Sequence, residues 1–424
     1  MRRICLLLSV ATLLAVSGGC ARPASADEVK STLPRDVLAA LPGDDLARLV
    51  AGNTEFACEL YRQVRQGDEN LFFSPYSISL ALAMTYAGAE GQTAEQMASA
   101  LHFYLPADSL HSAFNYLDQQ LASRGSTASG KEGEGFRLNV VNAIWGEKEH
   151  KFLDGYLDTL ARNYGAGLRV LDFKSAPEPS RGTINQWVEQ QTEGRIKDLI
   201  PKDAINPLTR LVLTNAVYFN AAWASQFEKN TTAPGVFQGL NGAELTVPMM
   251  QQTAYFGYLK GSGFEAVELP YDGYELSMVI LMPDKGQLDA FETEVDAELL
   301  QQTFADLQRT RIALTMPKFK LETSFGLNSA LKALGMDAAF DPQEADFSGM
   351  DGLRDLFITD AIHKAFVDVD ESGTEAAAAT AIVMNTTSMP AEPIQVVVDR
   401  PFLFLIRDGQ TGTVLFLGRV VNPA

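Results

Sequence analysis

Residues 371–401 read ESGTEAAAATAIVMNTTSMPAEPIQVVVDRP. Ala376, Ala377, Ala378 and Ala379 form a run of four alanines, followed by Thr380 and Ala381. Alanine is the best helix former, so the run by itself favours a short helix. Gly373 precedes it, and β-branched Thr380, Ile382, Val383, Thr386 and Thr387 enter it; such residues prefer extended backbone. The residues alone therefore leave loop, helix and strand open. A segment that must change state needs that ambiguity.

Downstream, Phe402–Arg407 and Thr413–Val420 read as two strands joined by the turn DGQTG at 408–412, a hairpin. Upstream, Leu138–Trp145, Leu211–Phe219 and Leu276–Met282 are strand-like; the last is continuously apolar, as expected of a strand covered on both faces. Ile312, Leu314 and Met316 alternate, Pro317 shifts the phase, and Phe319 and Leu321 resume it, which predicts a bulge at Pro317. Leu46, Leu49, Val50, Asn53, Phe56, Ala57, Leu60 and Val64 share one helical face, and a short strand NLFFSP (70–75) precedes a helix starting at Tyr76, just after Pro75. Residues 124–135 (RGSTASGKEGEG) read as a loop inside one domain. Helices and strands mix without regular alternation, which predicts an α+β fold.

The chain has 424 residues, 34 basic and 53 acidic, for a formal charge of −19. So acidic a protein lacks the basic stripe of a nucleic-acid binder. Arg2 and Arg3 followed by apolar Ile4 to Val16 read as a secretion leader too short to span a bilayer. Ser17, Gly18, Gly19 and Cys20 resemble a bacterial lipobox, with Ser17 where leucine is usual, so ordinary leader cleavage stays open beside lipidation of Cys20. Either route predicts a secreted or cell-envelope protein. The organisation expected is a leader over 1–19, a tether over 20–44 rich in proline, and a folded domain over 45–424. Loss of the leader leaves 32 basic against 53 acidic residues, a charge of −21. Cys58 is the one cysteine beyond Cys20; it cannot build a disulfide framework and reads as a small hydrophobe on a helix.

The chemistry of an enzyme is missing. His102, His111, His150 and His363 are the only histidines, with no HExxH, CxxC pair, GxSxG, P-loop or GxGxxG. No cofactor or metal is expected, and no nucleophile or base can be nominated.

Four segments, in order, resemble the serpin family across nearly all of 45–424: NLFFSPYSISLALAMTYAGAEGQT (70–93), LTNAVYFNAAW (213–223), FITDAIHKAFVDVDESGTEAAAATA (357–381) and VVVDRPFLFLIRDGQTGTVLFLGRVVNP (396–423). The resemblance implies one domain with three β-sheets, eight or nine helices and an exposed reactive-centre loop. It implies a monomeric suicide inhibitor. A target protease cuts the loop and becomes a covalent acyl-enzyme, and the loop then inserts into the central sheet. Strand insertion of this kind is a known switching mode of the family. Non-inhibitory members, which bind or chaperone, are the alternative; they usually carry charged or bulky residues in the hinge, whereas GTEAAAATA here is uninterrupted.

The hinge is identified by this resemblance as Glu371, Gly373, Thr374, Glu375, Ala376, Ala377, Ala378, Ala379 and Thr380. As an inserted strand with period two, Thr374, Ala376, Ala378, Thr380 and Ile382 would face the core, and Glu375 would face solvent. In inhibitory serpins the cut bond usually lies seventeen residues along from the hinge glutamate, so the resemblance implies Thr387–Ser388; Thr386–Thr387 is one residue away, Met389 is followed by Pro390, and Met384–Asn385 leaves a shorter insert. A threonine suits the shallow pocket of an elastase- or subtilisin-like protease, or a papain-like cysteine protease. Trypsin-like targets are disfavoured, because no Arg or Lys lies between Glu371 and Asp399. Gly373 to Thr387 spans 15 residues, about 50 Å extended. Ser74, Ser77, Asn215 and His363 match the family's shutter, where the sheet opens, and Trp223 its breach. A pair between Lys318 and Glu371 is the weakest expectation, since exposed ion pairs contribute little.

Overall fold

In the computed structural model, residues 26–126, 128, 137–374 and 392–424 are described. The elements run β1 (Asp27–Val29), α1 (Asp45–Val64), β2 (Leu71–Phe73), α2 (Pro75–Tyr86), α3 (Gly91–Ala100), α4 (Ala107–Ala122), β3 (Arg137–Glu147), α5 (Asp154–Tyr164), β4 (Leu168–Leu171) and α6 (Pro177–Gln191). Then come β5 (Leu211–Ala222), β6 (Ala233–Gln238), β7 (Glu244–Lys260), β8 (Phe264–Pro270), β9 (Leu276–Pro283), α7 (Leu288–Glu294), α8 (Ala297–Asp306), β10 (Gln308–Pro317), β11 (Phe319–Gly326), α9 (Asn328–Ala333) and α10 (Ser348–Asp351). The chain closes with β12 (Ile358–Val369), β13 (Gly373–Thr374), β14 (Ile394–Val397), β15 (Phe402–Asp408) and β16 (Val414–Val420).

The fold is α+β, with ten α-helical segments among the described residues against the eight or nine expected. A seven-stranded sheet runs β1-β4-β3-β5-β13-β12-β11, and a nine-stranded one runs β14-β10-β7-β8-β9-β15-β16-β2 with β6 on β7. The expected second and third sheets are thus one continuous ladder. The 17-residue β7 joins them: Glu244–Met249 pairs with β6, Met249–Tyr258 with β10, and Gly257–Lys260 with β8.

Alternation along β5 places the seven-stranded sheet between two apolar layers. Leu211, Leu213, Val217, Phe219 and Ala221 enter the main core, while Val212 and Ala216 face a second cluster with Ile184 and Val188 of α6. In the main core lies α2, buried along almost its whole length, and its start is dictated locally. Pro75 pre-sets the first turn, and Ser74 caps it by accepting the Ser77 N–H at 3.1 Å. Cys58 is buried on α1, its thiol pushed up to about 12 by burial, as a small core hydrophobe requires.

Two expectations need correction. Pro317 marks no bulge. It ends β10, and after Lys318 the chain enters β11 in the other sheet. A proline cannot donate to a ladder, so it suits the point where one ladder is left for another. The 20–44 segment is no free tether over its described part. Asp27–Val29 pairs antiparallel with Leu168–Val170 and extends the sheet edge. Farther on, the Arg35 guanidinium donates to Asn115 Oδ1 at 2.8 Å and Asp118 Oδ2 at 2.7 Å on α4, and the Asp36 carbonyl accepts from Asn115 and Gln119, each at 2.9 Å. Tyr76 at the start of α2 donates to the other Asp118 oxygen at 3.1 Å.

Because Arg35 is half-buried and charge-assisted bonds are worth more than neutral ones, Arg35→Ala is expected to cost about 1–2 kcal/mol. The measurement is urea unfolding, read as an earlier midpoint with unchanged slope.

Candidate functional site

The strands β5 and β12 meet in a parallel ladder from Ile358↔Leu211 to Phe366↔Tyr218. Beyond Phe366 the chain of β12 continues to Val369 and turns through Asp370–Ser372. The turn is built by Asp370, whose Oδ1 accepts from the Ser372 N–H at 2.8 Å and the Gly373 N–H at 3.3 Å, while its own N–H donates to the Gly373 carbonyl at 2.9 Å. Burial pushes the Asp370 carboxyl up, and those two backbone bonds oppose it. The turn delivers β13 between the two strands, antiparallel to both: Gly373 pairs with Ala222 and Thr374 with Ala221 on one side, and Thr374 with Val369 on the other. Gly373 is required by space, since a Cβ there would lie 2.1 Å from the Ala221 carbonyl oxygen.

Around this end of the seam the polar and aromatic contacts are dense. Thr374 is buried and shares a hydrogen bond with the Tyr271 hydroxyl at 2.8 Å. The Tyr271 ring stacks on Trp223 with centroids 4.7 Å apart and planes at 8°. Trp223 holds the turn from both its polar groups, its backbone N–H donating to the Ser372 carbonyl at 2.9 Å and its indole N–H to the Asp370 carbonyl at 3.0 Å. Glu371 accepts from Lys318 Nζ at 2.8 Å and from the Thr232 hydroxyl at 2.7 Å. Its side chain is only 4% exposed, so the pair is not the exposed one expected. Burial alone would raise the Glu371 carboxyl, but the bonds from Lys318 and Thr232 outweigh it and hold it below its usual value. Thr232 and Tyr271 are members of this cluster that sequence reasoning missed; neither has a local signal.

Midway along the seam the structure brings together Ser74, Ser77, Asn215 and His363. His363 and Asn215 are register partners across the parallel pair, and His363 Nδ1 is hydrogen-bonded to Asn215 Oδ1. His363 Nε2 accepts the Ser74 N–H at 3.3 Å. With Nε2 an acceptor, Nδ1 carries the proton and donates. Asn215 Nδ2 donates to Ser77 Oγ at 2.6 Å, and Ser74 Oγ donates to the Leu415 carbonyl at 2.7 Å. A fifth member, Asn142 of β3, was not anticipated. It faces Asn215 in register, accepts from it at 2.5 Å and from Ser77 Oγ at 3.2 Å, and donates to the Ser77 carbonyl at 3.1 Å. Its signal in the sequence is an asparagine set within the apolar run VVNAIW at 140–145. Complete burial pushes the His363 imidazole down to about 3, so it is neutral near pH 7.

Glu375, Ala376, Ala377, Ala378, Ala379, Thr380, Thr387, Ser388 and Cys20 lie outside the described residues. Among those described, one group brings potential metal donors together: His150, Asp351 and Asp355 lie within 4.8 Å of one another. A 3.0 Å hydrogen bond from His150 Nδ1 to Asp351 accounts for most of that arrangement.

The model of the family described as "Serpin (serine protease inhibitor)" matches residues 51–423. An uncharacterized serpin-like protein of Thermococcus kodakarensis is 38% identical, covering 100% of this chain and 99% of its own length. The leukocyte elastase inhibitor of Homo sapiens is 40% identical over 89% of this chain and 100% of its own. Among solved structures, the thermophilic serpin tengpin in its native state superposes with a TM-score of 0.83 at 27% identity, covering 94% of this chain and 100% of that one.

A histidine kept neutral by burial adds stability above its unfolded pKa near 6.5, and the contribution is lost as pH falls toward about 3. Folding stability measured from pH 7 to pH 4 should therefore decline less steeply in His363→Gln than in the parent chain. The buried Glu371 carboxylate should make Lys318→Ala cost about 1–2 kcal/mol by urea unfolding, with little further loss when Glu371→Gln is added.

Proposed function

The chain belongs to the serpin family, and from that premise we propose that it is an irreversible suicide inhibitor of proteases rather than an enzyme, working by insertion of its cleaved loop between β5 and β12. The observation that carries this reading is β13. Gly373 and Thr374 already lie in the seam, antiparallel to both neighbours. Because β5 and β12 run parallel, a strand entering antiparallel to one is antiparallel to the other. Insertion exchanges one parallel ladder of eight registered pairs for two antiparallel ones, the slightly more stable kind. About a dozen new backbone bonds at 0.5–1.5 kcal/mol each give a drive on the order of 10 kcal/mol.

The register of the docked residues extends to the rest of the insert. Pairing Thr374 with Ala221 and with Val369 places Thr380, six residues on, opposite both Asn215 and His363. The entering strand would therefore part those two side chains and present a small hydroxyl between them. Alternate inward positions Ala376 and Ala378 are small as well, so nothing bulky or charged faces the main-core side of the seam between Thr374 and the Asn215–His363 level.

In the reaction, the protease serine Oγ attacks the Thr387 carbonyl, the peptide bond to Ser388 breaks, and Ser388 leaves as an amine. Insertion then drags the acyl-enzyme along the sheet before water can cleave the ester. Deacylation depends on an oxyanion hole and triad held in tight geometry, so traction on the acyl bond stops it. The small residue at 387 favours elastase- or subtilisin-like serine proteases, with papain-like cysteine proteases as a further class. The printed name of the human relative points the same way. The protein acts as a monomer without cofactor, exported by its leader and held at the cell envelope by a lipid on Cys20.

The test is a protease panel with denaturing gels and mass spectrometry of the released C-terminal peptide. An SDS-resistant complex and a peptide beginning at Ser388 are expected with an elastase-type enzyme. Cleavage with no complex would sink the inhibitory reading. Thr380→Arg, which sends a charge into the Asn215–His363 level, should lower complex yield at least about tenfold while leaving loop cleavage intact.

A further inference from the structure

The register of the seven-stranded sheet places the N-terminal strand at one end of the molecule. Asp27 pairs with Val170, Val170 with Gly146, Gly146 with Leu211 and Leu211 with Ile358, so these five residues form one row across five strands. The loop's docked residues sit at the other end, on Ala221 and Ala222. Eleven residues of β5 separate the two levels, about 36 Å. Strand directions also fix how the chain arrives. β1 runs parallel to β5, so it climbs from this row toward the hinge end, and everything before Asp27 leaves from the Leu211–Ile358 pole. The strap that follows is pinned by the Arg35 and Asp36 bonds to α4 and by Asp36 Oδ2 accepting from Arg162 Nε at 3.0 Å. Six residues, 21–26, separate Cys20 from β1, so the reach between them is at most about 20 Å, not the span of two dozen residues that a tether running to 44 would give.

We propose that the anchored molecule stands with its Leu211–Ile358 pole toward the lipid surface and its hinge pole away from it, so that a trapped protease is delivered against the membrane. This rests on the lipid anchor and the loop insertion of the preceding subsection. The last described residue before the loop, Thr374, lies at this outward pole, on the side where soluble proteases arrive. The inserted strand runs from the hinge toward the anchored pole. Its register reaches Leu211 at Met384, so Thr387 and the enzyme it carries emerge past the bottom row. Four strand spacings, about 19 Å, separate that exit from β1. A body on a 20 Å leash, with a protease at the same pole, has no room to hold that protease clear of the bilayer.

The experiment uses the full lipidated chain in vesicles of phosphatidylethanolamine and phosphatidylglycerol carrying a rhodamine-labelled lipid. Leu208, 71% exposed just before β5, and exposed Lys229, next to the Glu371 cluster, are each changed to cysteine and given a donor dye. Cys58 is buried with a raised thiol pKa and stays unlabelled. Energy transfer to the lipid should be at least about twofold greater from Leu208→Cys than from Lys229→Cys, given the 36 Å between levels. Inserting a flexible glycine-serine linker of about ten residues between Cys20 and Asp27, which lengthens the leash without touching β1, should bring the two signals together. A donor on the protease should show higher transfer in the SDS-resistant complex than in the first encounter with an uncleavable serpin carrying Thr387→Pro. Equal transfer from both poles of the lipidated parent chain overturns the orientation. Mass spectrometry showing Cys20 unmodified overturns the anchor instead, and absence of an SDS-resistant complex overturns loop insertion while leaving the pole measurement intact.

Discussion

The closed seam between β5 and β12 is the constraint on which the rest of this molecule depends. It is a parallel ladder at the centre of a sheet whose next neighbours, β3 and β11, are paired antiparallel to it. Across it, His363 and Asn215 meet side chain to side chain, and Ser74, Ser77 and Asn142 satisfy what remains of their hydrogen-bonding capacity. Buried polar groups without partners are costly, so a cluster satisfied only when the strands touch resists their parting. Burial keeps His363 neutral, which spares the seam an unpaired buried charge.

That seam is closed along most of its length and open at one end. Gly373 and Thr374 occupy the opening, and the groups that hold them there, Trp223, Tyr271, Lys318 and the adjacent Asp370 and Glu371, come from four separate stretches of chain. The arrangement sets direction and register for any strand that follows, because an antiparallel pair once begun specifies every later pair. A strand continuing in that register reaches the His363–Asn215 level at Thr380.

From outside the sheet, the N-terminal strap supports the cluster midway along the seam. Arg35 neutralises Asp118, Asp118 accepts from Tyr76, and Tyr76 lies between the two serines of the seam cluster in the first turn of α2. Elements far apart in sequence, near residues 35, 76, 118 and 363, thus converge on one helix start beneath the seam.

Much of this was legible in the order of residues. The apolar face of α1, the Pro75 start of α2, the apolar run of β9 and the terminal hairpin β15–β16 each express a local period or a turn, and local signals survive in a sequence. So did the four segments that carry the family resemblance, and with them Ser74, Ser77, Asn215, His363 and Trp223 as a set. Tertiary structure decided what depends on pairing between distant segments. It joined two expected sheets through β7, turned the Pro317 phase shift into a passage from one sheet to another, and paired Asp27–Val29 of the expected tether with β4. It added Asn142, Thr232 and Tyr271 to the seam and buried Glu371 against Lys318. Register and burial are set by which strand lies alongside, often more than a hundred residues away, and periodicity within one strand holds no record of its neighbour.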